Sequence, residues 1–102
     1  MNREKLDEIK ASLGWKPAPP TAQARPYAKV RRDGDVVYVS GHVAVSGGQL
    51  MYSGRIGQDL TIEEAKRSAA LCAVNSLDLF DEAFGLERLD KVLKVTGFLR
   101  CT

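Results

Sequence analysis

The clearest structural pattern in the sequence is TIEEAKRSAALCAVNSLDLFDEAFG, residues 61–85. Thr61 and Glu64 have the spacing of a capping box, in which a threonine hydroxyl and a glutamate carboxylate satisfy each other's free backbone N–H groups. Apolar and small side chains then recur at helical spacing, and Gly85 is a residue type that commonly ends a helix. The sequence therefore predicts one long helix over residues 61–84, whose small side chains let it lie close against a sheet. Its predicted apolar face comprises Ile62, Ala65, Ala69, Cys72, Ala73, Ser76, Leu77, Phe80 and Phe84.

The residues before this helix have the pattern of β-strands. Residues 27–31 alternate in polarity and residues 36–39 are a continuous apolar run, with an Asp-Gly-Asp turn between them. A glycine-containing turn between two such runs indicates a hairpin. Shorter candidate strands at 43–45 and 49–52 flank a Ser-Gly-Gly turn.

After the helix, KVLKVTGFLR at residues 91–100 predicts one further strand. Strands, then a helix, then a strand predict an α+β fold, with a long helix on one face of a sheet. The second face of that sheet would lack a cover. A chain of 102 residues buries a limited share of its surface, so self-association would help to stabilise it.

The first residues predict a separate short element. Asn2 can cap a helix that places Leu6, Ile9 and Leu13 on one face, and Gly14 can end that helix. The proline-rich residues that follow disfavour regular structure, and Trp15 is expected to hold them against the rest of the domain. We therefore divide the chain into residues 1–26, an N-terminal helix and proline-rich strap, and residues 27–102, an α+β domain.

Charge and composition exclude several classes of function. Fifteen Lys and Arg against 13 Asp and Glu give a net charge of +2, and the basic residues are scattered, so we expect no dedicated nucleic-acid site. No apolar run reaches the length of a membrane span, and the N-terminus lacks the apolar segment of a secretory signal. Cys72 and Cys101 have no metal-site spacing and are expected to be free thiols, with Cys72 buried as a small hydrophobic residue. The expected location is the cytoplasm.

Few residues point to chemistry. The chain has no phosphate-loop or dinucleotide motif, and one histidine, His42, cannot form a two-histidine metal site. We therefore expect neither a metal nor a cofactor. A hydrogen-bonded structural role is the favoured interpretation of His42, and a role as ligand or general base stays open.

Five ordered blocks resemble the RidA/YjgF family of reactive intermediate deaminases. They are RPY at 25–27, DGDVVYVSGH at 33–42, GRIG at 54–57, LCAVN at 71–75 and VLKVTGF at 92–98. The resemblance is to the branch with an N-terminal helix and a proline-rich strap. It implies a chorismate-mutase-like fold, in which three subunits wrap their sheets into a central barrel. Partner subunits would then cover the second sheet face.

The resemblance also implies a function and a site. Such proteins hydrolyse reactive enamines and imines to 2-keto acids and ammonia, with no metal or cofactor. Tyr27 would line a cleft between subunits, and Ser40 and Gly41 would let the ligand approach the backbone closely. His42 stands where relatives often have glutamine. Two other functions stay open: a non-catalytic trimeric small-molecule-binding or interaction protein, and RNA cleavage with inhibition of translation.

One departure from the family pattern bears on activity. Family subunits continue past the strand at residues 92–98 and bring an arginine that binds the substrate carboxylate, together with a carboxylate that holds the water. Neither has a counterpart here, since Arg100 falls too early in the pattern. We therefore expect weak deaminase activity or none, and no catalytic residue is assigned.

Overall fold

The computed structural model describes residues 2–17 and 29–102. Within those ranges it is a small α+β fold, which confirms the predicted fold class at that level. The elements, in chain order, are α1 (Arg3–Leu13), β1 (Val30–Asp33), β2 (Val36–Val39), β3 (Val45–Ser46), β4 (Gln49–Leu50), α2 (Ile62–Phe84) and a 3-10 turn (Leu86–Arg88).

The long helix α2 is confirmed, including the capping box that starts it. The Thr61 hydroxyl accepts a 3.1 Å hydrogen bond from the Glu64 N–H, and the Glu64 carboxylate accepts a 3.0 Å bond from the Thr61 N–H. At the other end Gly85 has φ +91°, and its N–H donates to the Asp81 carbonyl. Both ends are therefore fixed by residues within one turn of the helix.

Helix α1 is also confirmed with its predicted ends. The Asn2 side chain accepts a 2.8 Å hydrogen bond from the Lys5 N–H. Gly14 adopts φ +67° and ψ +28°, a left-handed conformation that glycine adopts at little cost.

The strands form two separate hairpins in place of the single predicted sheet. β1 and β2 pair antiparallel with Asp33 opposite Val36, and Gly34 takes φ +60° in the two-residue turn. β3 and β4 pair antiparallel with Val45 opposite Leu50. No hydrogen-bonded ladder joins the two hairpins among the described residues. The chorismate-mutase-like sheet expected from the resemblance is therefore not formed within the described chain.

The prediction of a strand at residues 91–100 is wrong. That segment has no regular secondary structure, and residues 91–100 are all exposed. Its end makes one isolated parallel bridge between Ile56 and Cys101. A strand needs a neighbour to accept and donate its backbone hydrogen bonds, and the described part of the chain places none beside residues 91–99.

The main core lies between the two helices. Leu6 from α1, Val74 from α2 and Leu86 from the 3-10 turn are buried together. Ile9, Leu13, Trp15, Leu77 and Leu89 pack around them. Helix α2 thus uses much of its apolar surface against α1 and the 3-10 turn as well as against β1 and β3.

Polar contacts add to this packing and fix the chain after α1. Lys10 forms an ion pair with Asp78 at 2.5 Å and lies over the Trp15 ring, 4.2 Å from its centre. The Trp15 indole N–H donates a 2.8 Å hydrogen bond to Asn75. Trp15 therefore does hold the start of the strap against α2, as predicted, while residues 18–28 lie outside the described ranges.

No helix in the described ranges is both long enough and apolar enough to cross a membrane.

Candidate functional site

A cleft of about 290 Å³ lies between the β3–β4 hairpin, the middle of α2 and the segment after the 3-10 turn. We call it the His42 cleft. Its apolar lining includes Val43, Leu50, Met51 and Phe98. These side chains are partly open to solvent, from 37% for Met51 to 93% for Phe98. The cleft is thus an open surface depression with a partly apolar lining.

Polar groups enter the cleft from three parts of the chain: the loop after β2, the loop after β4 and helix α2. His42 comes from the loop after β2, and Tyr52 and Ser53 come from the loop after β4. Ser68 lies one turn before Cys72 on α2, so both reach the cleft from the same helix face. His42 is half-buried, and its Nε2 atom is shielded from solvent.

Tyr52 is held in an uncommon conformation beside the cleft. Among the described residues it is the one non-glycine residue with positive φ, at +54°. That conformation costs a side-chain-bearing residue about 1–2 kcal/mol. Its hydroxyl accepts a 2.9 Å hydrogen bond from Nε of Arg67 on α2, which fixes the ring against the helix.

The loop after Tyr52 is equally constrained. Gly54 has φ +138°, and a Cβ at this position would lie 2.5 Å from Cβ of Asp59. The Asp59 carboxylate accepts a 2.9 Å hydrogen bond from the Arg55 N–H. Only glycine fits this turn, and the turn sets the direction in which the cleft-lining loop leaves the hairpin.

Asn75 holds the loop before β3, which forms part of the cleft wall. Its side-chain N–H donates 3.0 Å to the Val45 carbonyl and 3.4 Å to the Val43 carbonyl, while its oxygen accepts from Trp15. One amide on α2 therefore ties the His42–β3 loop and the chain after α1 to the same point.

Of the three predicted substrate-binding residues that the structure describes, His42 is the one that lines the cleft. Ser40 is half-buried, and its N–H donates 2.8 Å to the Lys29 carbonyl. Gly41 is exposed, with nothing in the described structure within 4 Å of where a Cβ would stand. Tyr27 lies outside the described ranges.

Cys72 lines the cleft and is half-buried, less buried than the sequence predicted. Burial raises the pKa of its thiol above the ordinary value, and a backbone hydrogen bond offsets part of that effect. At neutral pH the group is therefore a thiol, which is a poor nucleophile. Its place in the wall is that of a small apolar group.

Some cleft residues were not predicted from the sequence, among them Tyr52, Ser53, Ser68 and Phe98. Tyr52 fits an ordinary alternating strand in the sequence, and no local pattern reports its positive φ. Ser68 carried a usable signal, since it lies four residues before Cys72 on the predicted helix.

The chemistry open to this site is limited. Among the described lining residues none is an acid, a lysine or an arginine. In the described ranges no three His, Cys, Asp or Glu side chains gather as a metal site would require. The cleft can enclose apolar groups and exchange hydrogen bonds through its hydroxyls and imidazole.

Comparison with known proteins adds no assignment, since the chain matches no protein-family model, no curated protein and no solved structure.

Proposed function

We propose that this chain binds a small, uncharged and mainly apolar molecule in the His42 cleft, and hydrolyses 2-imino acids weakly or not at all. The observation that carries the proposal is the lining of the cleft. Its volume of about 290 Å³ is near the lower end for small-molecule sites. Apolar side chains with a few hydroxyls and an imidazole are the usual composition of such sites.

The uncharged ligand follows from the electrostatics of the same lining. A carboxylate moved out of water needs a cation or several hydrogen-bond donors, and without them its burial is unfavourable. No described lining residue carries a fixed positive charge. A carbonyl group needs one donor, which Ser53 or Ser68 supplies.

Imine or enamine hydrolysis, the activity that the resemblance to RidA/YjgF proteins implies, is the competing hypothesis. It needs a site for the carboxylate and a water held near the imine carbon, and correct orientation contributes several kcal/mol to such catalysis. The described contacts link one cation, Arg67, to the cleft through Tyr52. That link makes Arg67 the residue to test if activity is found.

A trapping assay tests the activity. An amino-acid oxidase generates 2-iminopropanoate, semicarbazide traps it, and added protein slows the trapping only if it hydrolyses the imine. We expect no slowing at sub-stoichiometric protein, because the carboxylate is not fixed beside a water. Strong slowing that is lost in both Tyr27→Phe and Arg67→Gln would contradict the proposal and establish the hydrolase. Lys66→Gln, which removes the same charge one residue away, is the matched control.

The homotrimer that the resemblance implies stays a prediction. The exposed apolar side chains of residues 92–99 are surface that an assembly would need to cover.

A further inference from the structure

The most unusual surface of the molecule is the segment of residues 91–99. Five of its large apolar side chains are between 62% and 93% exposed: Val92, Leu93, Val95, Phe98 and Leu99. Several large apolar side chains this exposed within one short segment of a small domain indicate a place where another surface binds.

The backbone of this segment also lacks hydrogen-bond partners among the described residues. None of the N–H or C=O groups of residues 91–99 forms a hydrogen bond with another described residue. The segment is nevertheless fixed at both ends. Leu89 packs against the helix core, and the Arg100 carbonyl accepts a 3.0 Å bond from the Ile56 N–H. It is thus a tethered chain whose backbone is open for strand pairing.

We propose that residues 90–100 pair antiparallel with the same residues of a second copy of this chain, about a two-fold axis at Val95. An antiparallel pair is the arrangement in which one segment matches itself under two-fold symmetry. Each copy then supplies the hydrogen-bonding neighbour that the other lacks, which is strand addition between identical chains.

Charge complementarity favours the register whose two-fold axis passes through Val95. It places Asp90 of one copy opposite Arg100 of the other, and symmetry makes this ion pair twice. Both side chains are exposed in the single chain. Neither forms an ion pair among the described residues. Opposite charges across a strand pair stabilise it, whereas like charges directly opposite destabilise it.

The same register also matches the apolar side chains. On the face that carries Asp90, side chains alternate, so Val92 stands opposite Phe98 and Lys94 opposite Thr96. An aromatic ring opposite a β-branched side chain is a favourable cross-strand pair. No lysine or arginine stands opposite another. Phe98 also lines the His42 cleft, so a second copy would reach the rim of that cleft.

Sedimentation of charge-swap variants tests this pairing. We expect wild-type chain to sediment at twice its 11.2 kDa mass, or at six times that mass if pairing combines with a three-subunit assembly. Asp90→Arg and Arg100→Asp each put like charges opposite one another and should raise the dissociation constant about tenfold or more. The double variant restores both pairs and should restore the assembly. Glu82→Arg, an exposed change of equal charge on α2, should leave the mass unchanged.

A disulfide trap tests the register itself. In a Cys101→Ser background, Val95→Cys puts two thiols directly opposite, within the Cα separation that a disulfide spans. The chain should cross-link on mild oxidation. Lys91→Cys should not cross-link, because position 91 of the second copy lies eight residues away along the strand pair. A monomer, a three-chain mass unaffected by the charge swaps, or equal cross-linking of both variants would overturn the proposal.

Discussion

Cys72 shows how one residue's surroundings limit what a site can do. It stands in the wall of the His42 cleft, yet burial raises the pKa of its thiol. The thiolate is the reactive form, so the group is held in its unreactive state near neutral pH. Cys72 therefore contributes an apolar contact to the cleft wall and is not an activated nucleophile.

We predict that alkylation of Cys72 follows this raised pKa. In the Cys101→Ser variant, the rate of reaction with iodoacetamide should rise with pH to a midpoint above that of an unstructured cysteine peptide. The sign follows from burial, which disfavours the charged thiolate and moves its formation to higher pH. A midpoint at or below that of the peptide would show that Cys72 is an activated thiol.

The elements that could be predicted from the sequence are those whose ends are fixed locally. Thr61 with Glu64, and Asn2 with Gly14, set the limits of α2 and α1 through contacts within a few residues. The β1–β2 hairpin was predictable for the same reason, since its turn is local, although β1 extends to Asp33, which the sequence pattern placed in the turn.

The remaining parts of the fold and of the candidate site depend on contacts between residues that are distant in sequence. Residues 91–99 have a strand pattern, but a strand forms only beside a partner, and sequence periodicity does not say where that partner is. The candidate site was predicted in part for the same reason. His42 was found within a motif, whereas Tyr52, Ser68 and Phe98 meet it only because α2 and the hairpins pack together.

At the scale of elements, we predict that α1 contributes much of the stability. Leu6→Ala should lower the free energy of unfolding by about 2–5 kcal/mol, because it opens a cavity at a fully buried position between the helices. Urea unfolding followed by the fluorescence of Trp15, the one tryptophan, measures this directly.

The matched control for that experiment is Leu50→Ala. Leu50 is 57% exposed, so this truncation should change stability by about 0.5 kcal/mol or less. Equal losses in the two variants would mean that α1 does not pack on α2 in solution.

At the scale of the whole molecule, a small core supports two open surfaces. The core lies between α1, α2 and the 3-10 turn. The two hairpins pack on α2 through β1 and β3. The His42 cleft is the surface shaped for a small molecule, and residues 91–99 are the surface shaped for another chain. Phe98 belongs to both, so ligand binding and strand pairing are expected to affect each other.

The ring proton signal of His42 reports directly on ligand binding in the cleft. The chain has one histidine, so its Hε1 resonance reports on this site alone. At fixed pH, methyl 4-methyl-2-oxopentanoate should shift that resonance to saturation, and the 4-methyl-2-oxopentanoate anion should bind more weakly. Ser68→Phe fills the cleft and should abolish the shift, whereas Ala69→Phe, exposed on the same helix, should not. No saturable shift with the ester, or tighter binding of the anion, would contradict the binding of an uncharged ligand in this cleft.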